Sequence, residues 1–398
     1  MKKKSVEILN KNHDIIDFGN HIPTKKLYPI LKWAGGKEQE LKYIIPNLPE
    51  KFTDYYEPFV GGGAVYTTIR AKNYFINDRS EELIGLYKSI INEDRSDFFS
   101  ALREMINSWY LLTELIEKNS LFFILTYKKY SNSRIDEAKL KEILFDFVLE
   151  HSDKFNRMFS AKFDYAGENF IREIKLNLIR KVRRMKELEK NKLSLPDIDI
   201  VDNIETAFKS AFYMHFRKIY NHTDSYGVCN PVKSAIFLYI RNFAYSGMFR
   251  YNSKGEFNVP YGGIDYNRKN FQKKVDYLET KEVRSLLERT VIENLDFKLF
   301  FKKYKPSEDD FIFLDPPYDS EFSTYAKNEF TKNDQRELAN FLIKKCNSKW
   351  MLVIKKTDFI LSLYDNHGLN IRSFDKTYLV SFMNRNNRST EHLIITNY

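Results

Sequence analysis

Cysteine is almost missing from this 398-residue chain, with only Cys229 and Cys346 present. Two thiols cannot build a disulfide framework, so the stapled secreted folds are excluded and a reducing cytoplasm is the expected setting. No run approaches the roughly 18 apolar residues of a membrane span. The basic opening, MKKKSVEILNKNHDIID, is followed by no apolar segment of signal-peptide length. Phosphate fingerprints are lacking too: neither GxGxxG nor a Walker GK[ST] accompanies the glycines at 61–63. There is no internal repeat and no low-complexity tract. What remains is a soluble intracellular chain, long enough for one large domain with an insertion or for two domains.

Aromatic residues are plentiful, at 16% with 26 Tyr and 33 Phe, which suits both a packed core and base stacking. Lys and Arg number 64 against 54 Asp and Glu, giving a net charge of +10 and a pI near 9.1. That excess suggests an anionic partner without proving one.

The pattern along the chain predicts an α/β fold interrupted by helices. Residues 1–27 are polar and weakly patterned, as a loose arm. Residues 52–59 read as a strand, 60–63 as a tight turn and 64–72 as a helix. Residues 74–78 read as a second strand ending in Asp78, and 81–91 as a helix. This is the first half of a nucleotide-binding α/β unit. Residues 95–230 are dominated by helical periodicity. Within 171–188, apolar residues at 171, 174, 178, 182, 185 and 188 mark one helical face. The other face carries Arg172, Lys175, Arg180, Lys181, Arg183, Arg184 and Lys186, a solvated surface or a phosphate-contacting one. Strand patterns return at 291–295, 311–314, 349–354, 369–374 and 392–396, with a helix at 333–345.

Chemistry concentrates where strands end. The apolar run 311–314 stops at Asp315-Pro316-Pro317-Tyr318, because two prolines can continue neither a strand nor a helix interior. Ligands in open α/β sheets bind at such carboxyl ends, although a strand followed by a Pro-rich turn would look the same. Glu57-Pro58-Phe59-Val60-Gly61-Gly62-Gly63 ends the first strand, and glycines there admit positive φ and close approach of a ligand. Taken alone it is a turn. With Asp78 ending the next strand it becomes a site for an adenosine-bearing cofactor, since such an acid accepts hydrogen bonds from ribose hydroxyls. Lys32-Trp33-Ala34-Gly35-Gly36-Lys37 reads either as a Trp anchor for the arm or as a pocket wall with an aromatic face and a cation. Residues 241–275 hold seven basic residues (Arg241, Arg250, Lys254, Arg268, Lys269, Lys273, Lys274) against Glu256 and Asp265. Within them, Ser253-Lys254-Gly255 is a hairpin turn signal.

KWAGGK at 32–37, EPFVGGGA at 57–64, NDRS at 77–80 and DPPY at 315–318 come in the order found in the Dam-type DNA adenine-N6 methyltransferases, which this chain resembles. The stretch RYNSKGEFNVPYG at 250–262 and the tail SFMNRNNR at 381–388, with Thr390, Glu391 and His392, resemble that family as well. The likeness covers 30–95 and 235–398 and is much weaker over 95–230. It implies a Rossmann-like methyltransferase sheet with a mostly helical DNA-recognition insertion, S-adenosylmethionine as methyl donor and double-stranded DNA as partner, with no metal. The implied catalytic domain is split over 28–94 and 264–398. The implied recognition insertion covers 95–263, with a DNA-contacting hairpin at 248–262.

By the same resemblance, Trp33, Ala34, Gly35 and Lys37 line the cofactor pocket, and Glu57, Pro58, Phe59, Gly61 and Gly63 form its glycine turn. Asp78 holds ribose hydroxyls, and Asp296 and Phe297 sit at the cofactor's adenine. Asp315, Pro316, Pro317 and Tyr318 form the catalytic tetrapeptide, with Asp315 also beside the cofactor. Arg250, Tyr251, Asn252, Lys254, Asn384, Arg385, Asn387 and Arg388 contact DNA. A C5-cytosine enzyme needs a nucleophilic cysteine, usually after proline, and neither Cys229 nor Cys346 follows one. Protein-glutamine or RNA methyltransferases typically carry Asn where Asp315 stands. A catalytically idle DNA-binding protein on the same scaffold is the third alternative. The target sequence, a separate companion restriction endonuclease, and the choice between monomer and weak dimer stay open.

Overall fold

The computed structural model describes residues 26–33, 35–159, 163, 167–190, 194–318, 330–377 and 389–398. Nearly all of the expected arm, together with Ala34, Asn384, Arg385, Asn387 and Arg388, lies outside the described residues.

Seven strands form one sheet: β1 (Tyr55–Glu57), β2 (Tyr74–Asn77), β3 (Thr290–Glu293), β4 (Phe311–Leu314), β5 (Lys349–Lys355), β6 (Asn370–Thr377) and β7 (Ser389–Thr396). Their order is β3-β2-β1-β4-β5-β7-β6, parallel from β3 to β5, with β7 antiparallel to both of its neighbours. Strand order reverses between β1 and β4, where Tyr55 pairs with Phe311 and Tyr56 with Ile312. That reversal opens a crevice at the strands' carboxyl ends. Along β4, Phe311 and Phe313 join one apolar cluster, and Ile312 and Leu314 join the other. Both faces of the sheet are therefore covered, which is why β4 reads as an unbroken apolar run.

Helices α1 (Leu41–Ile44) and α2 (Glu81–Ser89) accompany the first strands. The central stretch folds as α3 (Arg95–Lys118), α4 (Ser120–Ser131), α5 (Glu137–Glu150), α6 (Ser152–Arg157), α7 (Gly167–Glu189), α8 (Asp197–Asn221) and α9 (Asn230–Phe243). Then α10 (Phe271–Leu278), α11 (Lys281–Glu288), α12 (Phe297–Lys303), α13 (Lys332–Lys344) and α14 (Asp358–Tyr364) return to the sheet. Ile174, Leu178, Val182 and Met185 of α7 are buried as their spacing predicts, while Ile171 is only partly covered and Leu188 is exposed. On the opposite face Arg183 pairs with Glu137 and Arg184 with Glu187.

The helix expected at 64–72 does not form. Thr67 and Thr68 bond back through their hydroxyls to the Gly63 and Ala64 carbonyls. The amides of Thr68 and Ile69 both reach the Val65 carbonyl, at 2.9 and 3.1 Å. These mixed spacings make tight turns, the local competition that threonine side chains offer to regular helix. No break in the core separates the helical stretch from the sheet, either. Phe98 and Leu102 of α3 belong to the same apolar cluster as Tyr55 and Leu86, and Ser89 bonds Ser234 at 2.9 Å between α2 and α9.

Candidate active site at the carboxyl ends of β1 and β4

Pro58 ends β1, and the chain turns through Val60 to Gly63. Gly61 and Gly63 hold positive φ, at +50° and +76°. A Cβ at Gly62 would lie 2.2 Å from the Leu31 carbonyl oxygen, so the turn needs glycine for its close approach as well as for its dihedrals. Trp33 packs against this turn, with its Cδ1 3.0 Å from where a Cβ on Gly61 would stand. After β2, Asp78 accepts the Gly61 amide at 3.0 Å and the Ser80 amide at 2.9 Å. Its neighbour Asn77 is buried and donates to the Pro58 and Leu295 carbonyls, both at 3.0 Å, which fixes the ends of three adjacent strands relative to one another.

At the end of β4, the buried Lys37 ammonium lies 2.5 Å from Asp315 Oδ2, donates to the Gly35 carbonyl at 2.9 Å and reaches the Tyr318 hydroxyl at 3.3 Å. One cation thus joins the 32–37 loop to both functional ends of the DPPY tetrapeptide. Lys37, Gly35 and Asp315 border a solvent-open cavity, lined also by Trp33, Glu57 and Gly61. Glu57 is buried beneath it and accepts from the Tyr55 hydroxyl at 2.7 Å. Burial pushes the Glu57 carboxyl well above the usual carboxylate range, and the Asp315 charge adds to the effect. Burial raises Asp78 too, against the amide bonds it accepts.

The D12 class N6 adenine-specific DNA methyltransferase family matches this chain over residues 33–200 and 196–379. The chain belongs to that family. It is similar to the type II methyltransferase M.CviBI of Paramecium bursaria Chlorella virus NC1A, at 26% identity over 93% of this chain and 99% of the relative. The type II methyltransferase M.MjaIII of Methanocaldococcus jannaschii is 30% identical over 86% of this chain and 89% of its own length. A DNA adenine methylase of Vibrio cholerae is 22% identical over 89% and 90%. The resemblance in KWAGGK, EPFVGGGA and DPPY was therefore a true guide to family, and the protein is an adenine-specific DNA methyltransferase with an α/β sheet of the Rossmann-like kind.

Against this D12-class frame, the other residues expected at the site fall into two groups. Phe59, Phe297 and Phe330 form an aromatic trio, with centroids 5.5 to 5.8 Å apart. Phe297 is thereby buried in the core beneath Phe59, while Asp296 caps α12 through the Lys298 amide at 2.9 Å and pairs with Arg79 at 3.6 Å. Neither of the two lines the cavity beside Lys37. In the hairpin, Tyr251 bridges Phe257, and its ring packs on Phe249 at 5.0 Å. Asn252 Oδ1 accepts from the Lys254 and Glu256 amides, and its Nδ2 donates to Glu256. Those two side chains are thus engaged within the turn, and Arg250 and Lys254 are left at its surface.

Three residues carry more of this D12-class site than sequence reasoning assigned to them. Arg241, counted only as part of a basic stretch, is buried and donates to the Met248 carbonyl at 2.7 Å and the Lys32 carbonyl at 3.2 Å. Its guanidinium lies 5.3 Å from the Trp33 ring and 4.5 Å from the Phe249 ring, so it couples the 32–37 loop to the hairpin base. Burial lowers it to about 10. His392, fully buried, packs edge-to-face with the Tyr318 ring, their centroids 5.5 Å apart. Gln335, after a Thr331/Asp334 capping box that the sequence FTKNDQ does announce, bonds the Pro317 carbonyl at 2.8 Å.

Proposed function

We propose that methyl transfer to adenine N6 takes place at the cavity where Lys37, Asp315 and Tyr318 converge, with S-adenosylmethionine as donor. The observation that carries this reading is the Lys37 bridge, 2.5 Å from Asp315 and 3.3 Å from Tyr318, at the sheet's strand-order reversal. The donor fits the residues present. The glycine turn admits a ligand against its backbone, Asp78 offers carboxylate oxygens to ribose hydroxyls, and Trp33 supplies an aromatic wall. When bound, S-adenosylmethionine supplies a methyl group on a sulfonium, an electrophile that needs no covalent enzyme intermediate.

This chain's residues do the rest. The adenine amine is a poor nucleophile because its lone pair is delocalised into the ring. Hydrogen bonds from N6 to the Asp315 carboxylate and the Pro316 carbonyl favour a tetrahedral nitrogen with its lone pair free. Lys37 holds Asp315 in place, and alignment with charge stabilisation supplies most of the rate. Among the described residues no donor takes the Pro316 carbonyl. Tyr318 offers its ring to the base, a contact of about 1–3 kcal/mol.

The target adenine leaves the duplex to reach this pocket, at a cost of a few kcal/mol. Exposed Arg250, Lys254 and Lys32, with Tyr245 half exposed in the turn beside Lys32, are the groups offered to DNA. Asn384, Arg385, Asn387 and Arg388, which lie outside the described residues, belong to the same proposal as DNA contacts. Residues 28–94 and 264–398 serve as the catalytic part and 95–263 as the recognition part. The type II methyltransferase names of M.CviBI and M.MjaIII support a modification role, and a cytoplasmic setting and a separately acting endonuclease are part of the same proposal.

Titration of the protein with S-adenosylmethionine in a calorimeter tests the donor site. Saturable heat is expected, weakened by Asp78→Ala and by Trp33→Ala. Absence of heat from the intact protein would remove the donor assignment.

A further inference from the structure

The two prolines of the tetrapeptide pose a problem of restraint. Neither Pro316 nor Pro317 carries an N–H, so the two middle residues of this turn cannot be held through backbone donors of their own. At these two residues carbonyls are the handles that remain, and the Pro316 carbonyl is committed to the amine in the mechanism above. The Pro317 carbonyl is the one held, by Nε2 of Gln335 at 2.8 Å.

Gln335 is fully buried in the first turn of α13. The start of that helix is itself anchored. Thr331 and Asp334 form a capping box, and Lys298 reaches Asp334 at 3.3 Å and Glu337 at 2.6 Å. The amide orientation is decided by chemistry, because a carbonyl only accepts and the NH2 group must face Pro317. The other end of the side chain is poorly served: Gln335 Oε1 is buried with no hydrogen-bond partner among the described residues. Leucine or methionine would fill similar space without an orphaned acceptor, so stability alone does not account for glutamine here.

We propose that Gln335 is a positioning residue for methyl transfer. By fixing the Pro317 carbonyl it sets the peptide planes on either side, which aim the Pro316 carbonyl and the Tyr318 ring at the cavity. The inference rests on the reading of 315–318 as the transfer site.

Two variants of the full chain test it. Gln335→Met keeps length and volume and removes the donor. Its kcat is expected to fall about 10- to 100-fold, the scale of a misplacement near 1 Å, with the KM for DNA and the dissociation constant for S-adenosylmethionine little changed. Gln335→Glu carries a carboxyl that burial keeps protonated at low pH, and a protonated acid still donates to Pro317. Its kcat relative to the unsubstituted enzyme is therefore expected to fall as pH rises, while the Gln335→Met ratio stays flat. A merely structural glutamine would give no such divergence. Turnover of both variants within about twofold of the parent, or a pH-independent Gln335→Glu ratio, overturns the inference. If Gln335→Met does not fold, the Gln335→Glu profile decides alone. A fully active Asp315→Ala enzyme would overturn the underlying reading of the site. An inactive Asp315→Ala with unaffected Gln335 variants would overturn only this inference.

Discussion

Two buried lysine–carboxylate pairs in this protein look alike and serve different ends. Lys37 meets Asp315 at 2.5 Å, and Lys209 meets Glu205 at 2.6 Å; both ammonium groups are almost wholly covered. Lys209 is enclosed. It also donates to the Asn267 carbonyl at 2.8 Å and lies 4.7 Å from the centre of the Trp109 ring, and Thr113 donates to Glu205 at 2.7 Å. Burial still lowers the Lys209 ammonium from its ordinary value, with Glu205 opposing the shift. The Lys37 pair instead joins two loops and borders a cavity. A buried ion pair alone is thus no sign of a site; what sets the Lys37 pair apart is its open side.

Substitution separates the two directly. Lys209→Met strands Glu205 in the helical core and is expected to lower unfolding stability by about 3–5 kcal/mol in urea titrations. Adding Glu205→Leu should restore much of the loss. Lys37→Met, beside a cavity that water reaches, is expected to unfold close to the parent while methylation falls sharply. Equal destabilisation at both positions would erase the distinction.

A smaller effect is expected from pH. Burial raises the Glu57 carboxyl in the folded state, so its contribution to stability is fully present below the ordinary carboxylate pKa and is lost as pH rises through the folded value. Glu57→Gln keeps a neutral group against Tyr55 and should flatten the fall in stability with rising pH. Parallel denaturation curves for parent and variant from about pH 5 to about pH 9 would show that Glu57 ionises without consequence.

The smallest effect belongs to the exposed cations. Arg250→Ala and Lys254→Ala should each weaken duplex binding and lower the slope of log affinity against log salt by about 1. An unchanged slope would take the hairpin tip off the DNA.

Local chemistry explains what the sequence made legible. An unbroken apolar run showed in 311–314 because both faces of β4 are covered, and the glycines at 61–63 and the prolines at 316–317 mark backbone states that few residues can take. Tertiary pairings did not show. Arg241 meets the Lys32 carbonyl across 209 residues and Asn77 meets Leu295 across 218, and no local pattern encodes either. The turns at 64–69 were misread as helix because Thr67 and Thr68 can satisfy the backbone in a second way. Tyr251 and Asn252 have residue types suited to DNA, and their contacts to Phe249 and Glu256 within the protein could not be read from the sequence.

The central claim, that Asp315 receives the adenine amine, is tested most directly by Asp315→Ala in a filter assay of labelled methyl transfer to duplex DNA, with DNA affinity measured alongside. Methylation is expected to vanish while binding stays close to that of the parent. Methylation at the parental rate by the substituted enzyme would contradict the assignment and move the chemistry away from the end of β4.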